Sequence, residues 1–131
     1  MNHTKNPSLI FIVEDNTIYA KTLQLFLAQR FPSADIRIFP VGELCVDQLH
    51  RNPDYIIMDY SLDSRYYDAA NGLDMMKEIR QKNKEVRIVV LSAQQDISVA
   101  VEAMKAGNSY YIMKDDAAFG NVEAFILGKV A

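Results

Sequence analysis

Tyr55-Ile56-Ile57-Met58-Asp59 is a short apolar run closed by a carboxylate, and its reading decides the fold. An unbroken apolar run of this length reads as a strand covered on both faces. An earlier run, Leu9–Val13, has the same character and closes on the acidic pair Glu14-Asp15. Two more follow, residues 86–91 ending on Ser92 and residues 110–113 ending on Lys114. Set side by side as parallel strands, these runs gather acids, a hydroxyl and an ammonium at their carboxyl ends, where open α/β sheets bind ligands. Those groups together suggest a metal and phosphoryl site.

The segments between the runs carry helical spacing. Asn16 reads as an N-cap, and Tyr19, Leu23, Phe26, Leu27 and Arg30 follow the helical period up to Pro32. Asp35–Phe39 alternates, with Ile36 and Ile38 on one face, as an edge strand does. Val41, Leu44, Cys45, Gln48 and Leu49 predict a second helix that ends before Pro53. Residues 72–81 predict a third, with Leu73, Met76 and Ile79 inward. Ile97, Val101 and Met104 give a fourth its buried stripe, stopped by Gly107, and Ala118, Val122, Phe125 and Ile126 mark a fifth. Strict alternation of strand and helix predicts an α/β fold, a doubly wound parallel sheet with right-handed crossovers and helices on both faces. One of the two common orders for such sheets is 2-1-3-4-5, with its switch point between the first and third strands. That order places Glu14, Asp15 and Asp59 around one crevice.

Composition narrows the class. A chain of 131 residues fits one domain, and with half its residues hydrophobic and a quarter charged it reads as an ordinary soluble globule. The net charge of -3 gives no basic footprint for nucleic acid. Residues 1–7 are polar and read as a flexible tail ahead of a domain over 8–131, with no apolar leader and no membrane-spanning run, so a cytoplasmic address is expected. Cys45 is the single cysteine, so no internal disulfide can form, and it reads as a packed thiol on a helix. His3 lies in the tail and His50 near a helix end, and neither is read as a phosphohistidine or a metal ligand.

Glu14-Asp15, Asp59, Ser92-Ala93, Gly107, Tyr111 and Lys114, in that order, resemble the receiver domain of two-component response regulators, the CheY-like superfamily, across essentially the whole chain. The resemblance implies a flavodoxin-like (βα)5 sandwich of strand order 2-1-3-4-5. It implies that Asp59 accepts a phosphoryl group from a sensor histidine kinase or phosphotransfer protein. Glu14, Asp15 and Asp59 would hold Mg²⁺, or Mn²⁺ in its place, with the backbone carbonyl of Ser61 as a further ligand. Ser92 and Lys114 would contact the phosphoryl oxygens, and Ser92 and Tyr111 would form the switch. In the family the switch reshapes the surface of the fourth helical segment, fifth strand and fifth helical segment, which an output partner or a second copy of the domain would read. No direct contact with nucleic acid or membrane is implied, and catalysis would extend at most to the domain's own phosphorylation and dephosphorylation. The chain ends soon after the fifth helical segment, as a stand-alone regulator or a fragment of a longer protein would.

The chemistry agrees with this reading. Carboxylates about 4 Å apart repel by roughly 4 kcal/mol per pair at an effective dielectric near 20, so a proton or a cation must intervene. Mg²⁺ suits an all-oxygen site and leaves room for a phosphoryl oxygen. Taken singly, each residue has a plainer reading: Glu14-Asp15 as charges at a helix N-terminus, Ser92 as a turn residue, Lys114 as a solvated lysine and Tyr111 as core. The joint pattern reverses those readings.

Three features depart from the family pattern. Between Asp59 and Gly72 the connection is longer by about five residues, and Tyr66 and Tyr67 within it read as an exposed loop, with a lid or docking ridge as the alternative. Asp115 follows Lys114 where receivers carry a proline in cis linkage; a cis bond to a non-proline costs about 3 kcal/mol, so a trans peptide and a shifted loop carrying Lys114 are expected. Ser92 replaces the usual threonine but keeps the hydroxyl. Ser61 and Gln94 occupy positions that tune phosphoryl lifetime in relatives.

Rival readings come from other classes. A haloacid dehalogenase-type phosphatase needs a second aspartate where this chain has Ser61, and a flavodoxin-like electron carrier needs a phosphate loop where Glu14-Asp15 would repel the cofactor. The stronger rival is a receiver-like protein-interaction module with lost or slowed phosphotransfer, favoured by Asp115 and the long loop and opposed by the intact acid set.

Overall fold

The computed structural model describes residues 6–60, 72–93, 101, 105 and 108–129, with the backbone alone at 60 and 72–74. Along the chain run β1 (Leu9–Val13), α1 (Thr17–Arg30), β2 (Asp35–Phe39), α2 (Gly42–Asp47), a 3₁₀ turn (Leu49–Arg51), β3 (Tyr55–Tyr60), α3 (Gly72–Lys82), β4 (Arg87–Ser92), β5 (Ser109–Met113) and α4 (Ala118–Ile126). The five strands are all parallel in the order β2-β1-β3-β4-β5, the order expected from the sequence. The central strands are apolar because both of their faces are covered, as a parallel sheet requires.

Side-chain alternation divides the core in two. Ile10, Ile12, Tyr55, Ile57, Val89, Leu91 and Ile112 pack with Ala20, Leu23 and Leu27 of α1 and Ala118, Val122 and Ile126 of α4. On the other face Phe11, Val13, Ile56, Met58, Ile88 and Val90 pack with Cys45 of α2 and with Met75, Met76 and Ile79 of α3. Arg80 ties the end of α3 to the sheet, its guanidinium donating to the carbonyls of Asn83 and Val86 and to Ser109 Oγ.

α1 starts where the sequence predicts: Asn16 Oδ1 accepts from the Tyr19 N–H at 2.9 Å. The second helix is shorter than expected, ending at Asp47 and giving way to the 3₁₀ turn. Asn52, at φ 59, closes this turn in the left-handed region, which asparagine tolerates, and Pro53 after it keeps right-handed helix from continuing. β3 runs past Asp59 to Tyr60, because β4 reaches Ser92 and offers a partner: Asp59 pairs with Leu91 and Tyr60 with Ser92. Asp59 therefore sits within a strand instead of just beyond one. Val101 is helical but 45% exposed, so it does not belong to a buried stripe, while Ile97, Met104 and Gly107 lie outside the described residues. His3, Ser61, the loop residues 64–69 with Tyr66 and Tyr67, and Gln94 also lie outside them.

Leu23 is fully buried between α1 and the sheet, so Leu23→Ala removes most of a side chain from a close-packed core. Urea denaturation should show a loss of about 2–5 kcal/mol. Asn16→Ala deletes one cap and should cost about 1 kcal/mol.

Candidate functional site: an acidic crevice closed by a lysine

Register and alternation carry three charged residues to one place. Val13 pairs with Met58, so Glu14 and Asp59 are the next residues along neighbouring strands. Ser92 pairs with Met113, so Lys114 follows directly past the end of β5. By period 2, Glu14 continues the series Ile10 and Ile12, Asp59 continues Tyr55 and Ile57, and Lys114 continues Tyr110 and Ile112. All three series face α1 and α4.

Ligand oxygens of Glu14, Asp15 and Asp59 lie within 4.8 Å of one another. Lys114 Nζ donates to Glu14 Oε1 at 2.9 Å and to Asp59 Oδ1 at 3.1 Å, from side chains only 18, 3 and 13% exposed respectively. The other oxygen of Glu14, Oε2, accepts from the backbone N–H of Asn16 at 3.0 Å. Asp15 stands exposed at the mouth. Beneath the ammonium lies the Tyr19 ring, its centroid 4.2 Å from Nζ.

Burial and charge together set the titration of the group. Burial pushes Glu14 above the ordinary carboxyl value of 4.5, the hydrogen bond from Lys114 only partly opposing it, and Asp59 adds repulsion. Burial likewise pushes Asp59 above 3.8, with Lys114 opposing and Asp15 reinforcing. For Lys114 burial acts downward, but the hydrogen bond and charge of Glu14 and the charge of Asp59 outweigh it and raise the ammonium above 10.5. One cation thus gains from both neighbours, while each acid receives only a share of one cation. The surplus negative charge and the all-oxygen donor set fit a hard divalent ion.

Of the residues singled out from the sequence, Glu14, Asp15, Asp59 and Lys114 converge. Ser92 is buried at the end of β4, and its carbonyl accepts from the Lys114 N–H at 2.7 Å. Tyr111 lies lower on β5, opposite Val90 and partly buried against the α2 and α3 side of the core. Among the described residues no peptide is cis, as expected for Lys114-Asp115. Lys114 nevertheless reaches Asp59, so the trans peptide does not carry it away. Asp115 Oδ1 accepts from the Ala117 N–H at 2.9 Å and so forms a side-chain turn in place of a proline. Sequence reasoning had Tyr19 only as part of the apolar stripe of α1; its place in the first helical turn after the acid pair was the signal that it borders the crevice. A groove of about 1110 Å³ opens at the opposite end of the sheet, lined by residues that include Pro7, Pro53, Tyr55 and Lys84 but none of these carboxylates.

Residues 10–119 match the family model of the response regulator receiver domain. The chain belongs to that family, whose members are signalling domains of two-component systems. It is 26% identical over 121 residues to the transcriptional regulatory protein DegU of Brevibacillus brevis, covering 92% of this chain and 49% of that protein. A solved response regulator structure from Chloroflexus aurantiacus is 29% identical with a TM-score of 0.70, covering 93% of this chain and 98% of that one. The response regulator TrrA of Thermotoga maritima, solved in complex with Mg²⁺ and BeF, shares the fold at a TM-score of 0.75 and 21% identity, over 94% of this chain and 99% of that one. The chain spans about half the length of its DegU relative. Receiver domains bind Mg²⁺ at an acidic site, and the cluster of Glu14, Asp15 and Asp59 is consistent with the phosphoacceptor site of the family. Among the described residues no helix is long and apolar enough to cross a membrane.

Because folding shifts Asp59 toward its acid form, Asp59 contributes stability below its unfolded value of 3.8 and loses that contribution as pH rises through the raised folded value. Asp59→Asn should therefore melt a few degrees higher than the wild type at neutral pH without metal. The gap should narrow on acidification toward the ordinary carboxyl range, and Mg²⁺ should raise the wild-type midpoint more than the variant's. Melts in matched buffers check all three.

Proposed function

We propose that this domain takes a phosphoryl group onto Asp59 from a histidine kinase or phosphotransfer protein and thereby switches a partner-binding surface. The observation that carries the reading is the meeting of Glu14, Asp15 and Asp59 with Lys114 at one crevice. Glu14, Asp15 and Asp59 would hold Mg²⁺, with the Ser61 carbonyl as a further ligand on the family pattern, and the ion would supply charge neutralisation on the phosphoryl oxygens. An oxygen of the ionised Asp59 carboxylate forms the new bond to phosphorus as the bond to the donor breaks. The electron pair of that bond leaves with the donor group, which takes up a proton. Glu14 and Asp15 keep Asp59 in an electrostatic setting that favours a cation, and Lys114 meets negative charge on the transferred group. Positioning and electrostatics carry the step, and Asp59 needs no separate base.

Phosphorylation adds up to two negative charges and new acceptor oxygens to Asp59. Ser92, buried at the next strand end, supplies the hydroxyl that follows them, and Tyr111 responds on the same side of β4 and β5. This is a population shift between two packings, so contacts differing by a few kcal/mol suffice.

Incubation with acetyl phosphate and Mg²⁺ should add one phosphoryl mass to the intact protein. The adduct should be labile to hydroxylamine, absent from Asp59→Asn and abolished by chelation of the metal. A protein that takes up no phosphoryl group under these conditions is instead a receiver-like interaction module. Ser92→Ala should still form the adduct, while the Tyr111 ring signals, which shift on phosphorylation of the wild type, should stay in place.

A further inference from the structure

We propose that Tyr19 is the positioning residue for Lys114, its ring holding the ammonium over Glu14 and Asp59. The inference extends the reading of Asp59 as phosphoacceptor and rests on it for its kinetic consequence. Nζ lies 4.2 Å from the ring centroid, within the range where the negative face of an aromatic ring attracts a cation. The ring is itself fixed. Phe119 of α4 meets it edge-on at 5.4 Å and 73°, and Phe26 of α1 braces Phe119 from its other contact at 5.3 Å.

The hydroxyl adds nothing to this arrangement: Tyr19 Oη is buried without a hydrogen-bond partner among the described residues. A buried hydroxyl left unsatisfied weakens a fold, so the ring, and not its polar tip, accounts for the residue. The backbone of Lys114 is held by Ser92 and by the Asp115 turn, but those bonds do not aim a flexible four-carbon side chain. Three groups do: Glu14, Asp59 and the Tyr19 ring. Both carboxylates are the groups that a divalent ion or a phosphoryl group would engage. The ring is the contact that stays when they are engaged, and it keeps Lys114 in reach of the transferred group.

The test compares wild type, Tyr19→Phe and Tyr19→Leu, with two readouts. In spectra of carbon-labelled lysine, the Lys114 signals next to Nζ should lie upfield of the other lysines through the ring current. They should keep that position in Tyr19→Phe and lose it in Tyr19→Leu. With acetyl phosphate and Mg²⁺, the maximal phosphorylation rate should fall roughly three- to tenfold in Tyr19→Leu, the range a cation–π contact supports, with little change in the donor concentration for half-maximal rate. Tyr19→Phe should phosphorylate at the wild-type rate and melt at the same temperature or higher. Should Tyr19→Leu fail to fold, Tyr19→Met, closer in volume, takes its place. Unshifted Lys114 signals in the wild type, or a leucine variant with wild-type rate, would overturn the proposal. A wild type that takes up no phosphoryl group defeats the reading of Asp59, while the lysine spectra still decide the placement of Lys114.

Discussion

One ammonium shared between two carboxylates is the interaction on which the rest of the crevice depends. Lys114 meets Glu14 and Asp59 in a partly buried setting, where charge is costly to strip of water and worth more once paired. Asp15 adds a third acid, so the group remains negative overall after the lysine is counted. Burial holds both bonded acids above their ordinary values, with a neighbouring acid reinforcing it, while the two acids outweigh burial and hold the lysine above its own. Pairing is strong enough to organise the site and too weak to neutralise it.

An apolar sheet makes such an arrangement affordable. Ile10, Ile12, Ile57, Val89 and Leu91 are almost wholly buried beneath the charged layer, and they fix the strand ends through packing instead of through the charges themselves. Alternation then does the sorting. A slip of one residue in β1 or β3 would send Glu14 or Asp59 to the α3 side and separate them from α1 and α4. The hydrophobic pattern that specifies register therefore also specifies the charged cluster, which a lost register would scatter.

That coupling accounts for what the sequence made legible. The buried strands announce themselves as unbroken apolar runs, their alternation with helices leaves few topologies, and the residues that end them fall together once the order is known. Features that depend on a distant partner were not legible. Whether β3 stops at Met58 or continues through Tyr60 is settled by how far β4 extends alongside it. The second helix gives way at Gln48, whose N–H bonds three residues back to the Cys45 carbonyl, a change that local periodicity does not reveal. Tyr19 shows helical spacing like any core residue, and its contact with Lys114 exists only because the two ends of the chain meet across the sheet. The replacement of proline by Asp115 argued for a displaced lysine, but a backbone bond to Ser92 and a side-chain turn at Asp115 hold the segment in reach by other means.

The two faces of the sheet also divide the proposed work. Glu14, Asp59 and Lys114 follow the series that faces α1 and α4, whereas Ser92 and Tyr111 follow the series of Val90, which faces α3. Ser92 is joined to the lysine through the bond from the Lys114 N–H to its carbonyl. Under the proposed reading, a change of charge at Asp59 that drew on the Ser92 hydroxyl would pull at the end of β4, on the side where Tyr111 packs opposite Val90. The same pull would act on the backbone that carries Lys114, through its bond to the Ser92 carbonyl. On the proposed reading, the response of Tyr111 and the hold on a phosphoryl group would be linked through a single buried strand end, so a substitution that loosened one would be felt by the other.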